Sequence, residues 1–245
     1  YIKGKLEVSG ICKGHGNLYV EENINFNNGV EFDGYVHAGG NINSSVSCQV
    51  KGNLYAGKDI NLHNGANIEG YIAADRNITS DTPLTLKGSI SAGGNITLSS
   101  GANIEGYIFA DGNITSDTSL TLKGSLSAGR DLNLPSGVTA EGNLLAGKNI
   151  SISGSGITAN PNAILCVYSA NGNIDRVLTT GLVNGAIYAP HGTVHFDGSV
   201  TLNGSIVGRT VSGYSANLTM GECNLDFPFL GGGGGVSGWE FVQYE

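Results

Sequence analysis

The sequence predicts an all-β chain wound as a single-stranded, three-sided β-solenoid of about 18 residues per coil. Three observations predict it. Glycine recurs every 18 residues at Gly16, Gly34, Gly52, Gly70, Gly88, Gly106, Gly124 and Gly142. Apolar residues come in pairs two apart, restarting every six residues. No helical spacing competes, and Gly, Asn, Ser and Thr punctuate the text between the pairs. A strict period of this size is the signature of stacked units, and a spacing of two is strand alternation with one face buried.

Each unit is numbered here from its Gly as position 1. Position 3 reads Leu18, Val36, Leu54, Ile72, Ile90, Ile108, Leu126, Leu144, and position 5 is Ala from Ala38 to Ala146 after an opening Val20. Position 9 is Ile in every unit except that of Leu132. Positions 15 and 17 close the third pair, as in Leu84 and Leu86. Three short strands and three turns per unit give a triangular coil with these six positions inside.

Two alternations point to a two-coil unit. At positions 11 and 15, Leu62 goes with Ala66, Ser80 with Leu84, Leu98 with Ala102 and Ser116 with Leu120, which keeps the core volume of each coil nearly constant. Position 18 alternates in charge through Asp33, Lys51, Glu69, Lys87, Glu105, Lys123 and Glu141. Coils stacked at about 4.8 Å would give each charge opposite neighbours, and a slipped register would bring like charges together. Residues 70–105 and 106–141 are nearly the same text.

Position 8 is Asn or Asp in all eight units, from Asn23 to Asn149. The expectation is a turn residue that tolerates left-handed backbone and a side-chain ladder along the rod. The sequons at Asn43, Asn77, Asn95, Asn113, Asn149 and Asn217 are therefore expected to be structural. Glycans on adjacent coils would crowd one another.

Along the chain, the solenoid is expected over 1–220, with regular coils at 16–159, an irregular insertion at 160–184 and resumed coils at 185–220. Residues 221–245 follow as a Gly-rich linker and a C-terminal strand, in which Trp239, Phe241 and Tyr244 are the assembly residues. The five glycines 231–235 supply the flexibility. Eleven coils would make a rod on the order of 50 Å long. Because Tyr1 opens directly into strand-like text, a mature or trimmed product is expected.

Composition bounds the function. With 12 basic residues, 20 acidic ones and a net charge of −8, no basic stripe exists to neutralise phosphates, so nucleic acid is not an expected partner. No apolar run reaches membrane-spanning length. Heavy Asn, Ser, Thr and Gly with little Lys suits an extracellular surface. Among the four cysteines, Cys12 and Cys48 sit inward two coils apart, too far for a disulfide, while Cys166 and Cys223 could pair.

No catalytic constellation is present: no Gly-x-Ser-x-Gly, no phosphate-binding Gly-Lys-Ser/Thr loop, no Cys-x-x-Cys. The chain is read as a non-enzyme without cofactor. His191 and His195 would lie about 13 Å apart on a strand, beyond sharing a metal ion. The candidate site is instead an outward aromatic stripe. Position 2 carries Tyr35, Tyr71 and Tyr107, and position 4 carries Tyr19, His37, Tyr55 and Phe109. Such a stripe contacts a protein partner, stacks on glycans, or reflects only the preference of aromatics for strands.

The Gly-x-[Ile/Leu]-x-Ala heads and 18-residue coils resemble bactofilins, bacterial polymer-forming proteins with a right-handed β-helix. Gly185-Ala-Ile-Tyr-Ala-Pro-His-Gly, then Gly198-Ser-Val-Thr-Leu-Asn-Gly-Ser-Ile-Val-Gly, then a Gly-rich run and a terminal Trp-Glu resemble the C-terminal domain of PilX-type pilus-assembly proteins over roughly 185–240. The family's N-terminal membrane helix has no counterpart here. The resemblances imply a right-handed solenoid and a structural protein of the extracellular cell surface. That protein would be pilus- or filament-associated and act in assembly or adhesion. Its partners would be copies of itself or other surface or pilus subunits, with glycans as a further possibility. The alternatives are a bactofilin-like cytoskeletal scaffold and a carbohydrate-binding adhesin.

Overall fold

A computed structural model describes residues 1–99, 101–213 and 218–221. The described chain is all β, a solenoid of about twelve turns whose coils repeat every 18 residues or so. Three faces run along the rod. Face A is built from strands such as Leu54–Ala56, Ile72–Ala74 and Ile90–Ala92. Face B contains Ile60–Leu62 and Ile78–Ser80, and face C contains Ala66–Ile68 and Leu84–Leu86. Every pairing between coils is parallel, and through the regular part each residue sits on the residue 18 earlier, as Ile60 on Ile42 and Leu84 on Ala66.

The paired apolar positions all point inward. Ile24, Ile42, Ile60, Ile78, Ile96 and Ile114 form one buried column, flanked by Leu54, Ile72, Ile90 and Ile108 on face A and by Leu86 and Leu122 on face C. Each fully buried Ile or Leu contributes about 1.5–3 kcal/mol relative to an exposed one. The size alternation is present as well: Ser44, Ser80 and Ser116 are fully buried. Their hydroxyls donate to the carbonyls of Val46, Thr82 and Thr118 at 2.7–3.0 Å, so each small inward serine, beside Cys48, Leu84 or Leu120 in its own coil, also fixes the next turn without leaving its hydroxyl unpaired.

The head glycines are required by close approach. A Cβ on Gly88 would lie 2.2 Å from the Gly70 carbonyl oxygen, and one on Gly124 would lie 2.3 Å from that of Gly106. The corner between faces C and A is thus too tight for any side chain.

Between 160 and 184 the spacing changes but the stacking does not. Ile164–Ser169 lies on Leu144–Ala146 and Ile174–Val177 lies on Ile150–Ile152, so this segment carries a longer coil. The separate sheet of face C ends at Ile157–Ala159, although Ile157 is still bridged to Thr179 in the coil beyond. Beyond it, Leu182–Phe196 and Val200–Gly213 run through the former A–B corner as continuous strands of 15 and 14 residues, and Leu218–Gly221 pairs with Val200–Asn203. The count of about twelve turns exceeds the eleven expected because 160–184 contributes its own. Trp239, Phe241, Tyr244 and the rest of 222–245 lie outside the described residues.

Substituting Gly88→Ala is expected to cost about 2–3 kcal/mol, since the clash is with backbone and not with a side chain that could move. Gly29→Ala, where a Cβ meets open space, stays within about 0.5 kcal/mol of wild type. Urea denaturation of the two variants tests the difference.

Candidate functional site

Coils are numbered from Gly16 as coil 1. The outward positions of face A form two parallel rows. Row 2 reads Asn17, Tyr35, Asn53, Tyr71, Ser89, Tyr107, Ser125, Asn143, and row 4 reads Tyr19, His37, Tyr55, Ala73, Ser91, Phe109, Ser127, Leu145. Tyr19, Tyr35, Tyr71, Tyr107 and Phe109 are each between 43% and 63% exposed. They make up five of the ten large apolar side chains exposed among the described residues, which gathers the apolar surface on one face.

Row 2 alternates, and the small residues serve the large ones. The Tyr35 N–H donates to Asn17 Oδ1 at 3.2 Å, that of Tyr71 to Asn53 Oδ1 at 3.0 Å, and that of Tyr107 to Ser89 Oγ at 3.1 Å. Each tyrosine is therefore seated by the polar side chain one coil before it. Tyrosines stand two coils apart, about 10 Å at the parallel strand spacing, with an open slot between. The slot over Asn53, walled by Tyr35, Tyr71, Tyr19, His37 and Tyr55, holds about 390 Å³.

Row 4 is graded. Tyr19, His37 and Tyr55 stack on successive coils, with ring centroids 5.7 and 4.7 Å apart. Ala73 and Ser91 then leave a notch of about 350 Å³, closed at its far end by Phe109 and edged by Asp75 and Asp111. The Tyr55 hydroxyl donates to Asp75 Oδ1 at 2.7 Å, and that bond holds the phenol above its ordinary pKa. A second stack, Tyr168 on Tyr188 at 5.6 Å, extends the same row into the longer coils. It went unnoticed in the sequence because the 18-residue frame breaks between the two residues.

The polar corners do other work. At position 8 the side-chain oxygen of each residue accepts the backbone N–H of the residue one coil on. The chain of bonds runs Asn23 to Asn41 (2.8 Å), Asn41 to Asp59 (3.1 Å), Asn77 to Asn95 (2.9 Å), Asn95 to Asn113 (2.8 Å) and Asp131 to Asn149 (3.1 Å). The expectation of left-handed backbone here is corrected. Among the described residues, Asn64 and Arg176 are the non-glycine residues with positive φ, and neither is at this corner. The corner selects an acceptor, which is why Asp substitutes for Asn. The expected side-chain bonds are present at this corner where Asn follows Asp, Asn77 Nδ2 donating to Asp59 Oδ1 at 2.9 Å and Asn149 Nδ2 to Asp131 Oδ1 at 3.0 Å. A further ladder runs two positions on, where Asn61 Nδ2 donates to Asn43 Oδ1 and Asn43 Nδ2 to Asn25 Oδ1, at 2.9 and 2.8 Å.

The alternating charges also differ in detail from a continuous ladder. Lys51 pairs with Asp33, Lys87 with Glu69 and Lys123 with Glu105, at 3.2–3.3 Å, each lysine reaching back to the earlier coil. A single ammonium group leans toward one neighbour, so the row divides into two-coil pairs with the period of the text repeat, one coil out of phase with 70–105 and 106–141. These exposed pairs serve register more than stability.

His191 and His195 both lie on Leu182–Phe196, and His195 Nδ1 meets Ser212 Oγ at 2.9 Å. Among the described residues, no three His, Cys, Asp or Glu side chains converge as a metal site would need. No helix among the described residues is long and apolar enough to cross a membrane. Cys48 is buried, and burial pushes its thiol up to about 12. Cys166 is buried with its thiol likewise raised, and its expected partner Cys223 lies outside the described residues. No family model matches the chain, and no match is found among curated proteins or solved structures.

Two measurements follow from these contacts. Asn95→Ala removes the acceptor for the Asn113 N–H and is expected to cost about 1 kcal/mol, whereas Asn95→Asp stays near wild type. Thermal or urea unfolding distinguishes the two. Because the thiolate is the reactive form, iodoacetamide at neutral pH is expected to leave Cys48 unmodified in the folded protein and to label it after denaturation. Mass spectrometry of the digested protein reads this directly.

Proposed function

We propose that the protein is a non-enzymatic structural rod of the extracellular cell surface, associated with a pilus or filament, which acts in assembly or adhesion through the flank of its solenoid. The observation that carries this reading is the division of labour among outward side chains. The Asn, Asp and Lys rows bind coil to coil, while the aromatic side chains concentrate on face A and are left uncovered among the described residues. Tyrosine gives large contact area with a polar tip at low entropic cost, as contact surfaces favour. The resemblance of 185–240 to the C-terminal domain of PilX-type proteins supports the surface and pilus setting.

A second reading, a carbohydrate-binding adhesin, is favoured by one observation. The notch over Ala73 and Ser91 combines aromatic ends with two carboxylates, and sugar rings present C–H faces and hydroxyl edges to such surroundings.

The test replaces Tyr35, Tyr71 and Tyr107 by Ser together. Exposed substitutions away from the core leave stability nearly unchanged. Self-association, followed by light scattering and negative-stain electron microscopy, is expected to fall at least about tenfold. Wild-type protein that stays as isolated rods at high concentration and binds no other surface subunit overturns the structural reading. Loss of glycan-array binding in the variant, with self-association unchanged, replaces it by the adhesin reading.

A further inference from the structure

We infer that face A is a self-complementary, antiparallel dimer interface in which coil n of one copy meets coil 7 − n of the other. The inference rests on the structural reading above in taking face A as a contact surface, and it adds the occupant and the register.

Two copies facing each other across a two-fold axis parallel to the face A strands run antiparallel. Row 2 then meets row 2, and row 4 meets row 4. Such an interface is isologous, so each row must complement its own reverse. Over coils 1–6 both rows do. In row 2, Tyr71 falls over Asn53, Tyr35 over Ser89 and Tyr107 over Asn17, and all three tyrosines enter slots the partner leaves open. In row 4, Tyr55 falls over Ala73 and His37 over Ser91, which places the two inner members of the aromatic stack in the partner's notch. At each end Tyr19 meets Phe109, both exposed. The neighbouring register, coil n on coil 9 − n, also seats the tyrosines of row 2. In row 4, however, it sets Tyr55 against Phe109 and Ala73 against Ser91, bulk on bulk beside a central void.

Charge bears on the first register in two ways. Asp75 of one copy comes opposite Gly57 and beside Lys58 of the other, while Lys58 itself comes opposite Arg76, whose charge is already engaged by Asp59 of its own rod at 3.8 Å; the two-fold axis makes both contacts twice. Among the described residues, the Asp75 carboxylate is bonded only by the Tyr55 hydroxyl, and Lys58 makes no ion pair. Glu21 meets Asp111 at the outer ends, where water screens the repulsion. Six coils by the width of five residues give a contact about 29 Å long and about 16 Å wide. That is roughly 900 Å² over both partners before corrugation, the size of a weak, reversible interface.

Facing sheets stand about 10 Å apart, too far for a disulfide but within reach of a short bis-maleimide. His37→Cys and Ser91→Cys proteins are prepared separately, mixed and treated with this reagent, with wild type giving the background from the four native cysteines. The mixture is expected to yield covalent dimer well above either variant alone. Residues 37 and 91 are three coils apart in one rod, and using single variants keeps the link between chains. A mixture of His37→Cys with Ser127→Cys, the pair of the 9 − n register, is expected to stay at background. In sedimentation velocity, Asp75→Lys, which gathers three cations at the axis, is expected to weaken the dimer about tenfold, and adding Lys58→Glu to restore it.

Faster linking of 37 to 127 than of 37 to 91, or no rescue by the charge exchange, overturns the register. A wild-type rod that is monomeric at every concentration overturns the interface. If such rods still join into filaments through other surfaces, the structural reading above survives. If they neither associate nor bind a partner, both fail.

Discussion

Everything in this molecule depends on the parallel stacking of each coil in register on the one before. A solenoid has no other long-range contact: coil n touches coils n − 1 and n + 1 and nothing else. The backbone hydrogen bonds between coils, such as Ile60 N–H to the Asn77 carbonyl and Leu54 N–H to the Tyr71 carbonyl, are the whole of its tertiary framework. A slip by one residue would turn every buried Ile outward at once. Register is therefore fixed redundantly, by the closed packing of the head glycines, by the side-chain-to-backbone bonds at position 8, by those of row 2, and by the paired charges at position 18.

The two-coil repeat takes on a single meaning when these rows are set side by side. Within the core it is a Leu/Ser exchange that conserves volume. At position 18 it is a lysine reaching back to an acid. On face A it is a tyrosine seated by the Asn or Ser below it. In all three a large or charged group is matched by a smaller or opposite one in the next coil; at about 4.8 Å of rise the other arrangement the rod uses is flat ring stacking, as in Tyr19, His37 and Tyr55. A coil cannot satisfy that condition alone, so the smallest self-consistent unit is a pair.

The inside of the rod was legible in the sequence because alternation and period report the same thing twice. Ile78 or Leu126 has one place to go once the 18-residue frame is known. What escaped was mechanism at the corners. Asn95 was visible as a ladder residue, but its partner was expected to be another side chain, and it is instead the Asn113 backbone N–H. Sequence carries no signal for which acceptor a backbone donor will find. The segment 160–184 hid its coil for a different reason. Ile164–Ser169 and Ile174–Val177 keep their faces while the turns between them lengthen, and a turn can lengthen without disturbing the strands. Tyr168 over Tyr188 was lost with that frame. The aromatic stripe itself was legible residue by residue, but its seating was not, because Asn17, Asn53 and Ser89 look like ordinary turn residues until their bonds are seen.

A rod of this construction limits where new function can arise. The inward positions are closed by packing, and the corners are closed by hydrogen bonds that hold the next coil. On face A the outward side chains that take no part in holding the next coil are those of row 4 and the tyrosines of row 2, since Asn17, Asn53 and Ser89 are committed to the backbone N–H one coil on. Any pattern there repeats along the axis at the coil spacing or a multiple of it, so what such a face recognises best is something with the same spacing. A compact globular surface meets one or two rungs. Another copy of the same rod would meet six of them in the proposed register, since its own rows carry the matching repeat. The alternation of row 2 leaves gaps of the size and spacing that a second set of tyrosines would fill, and that match is the physical ground of the proposed self-contact.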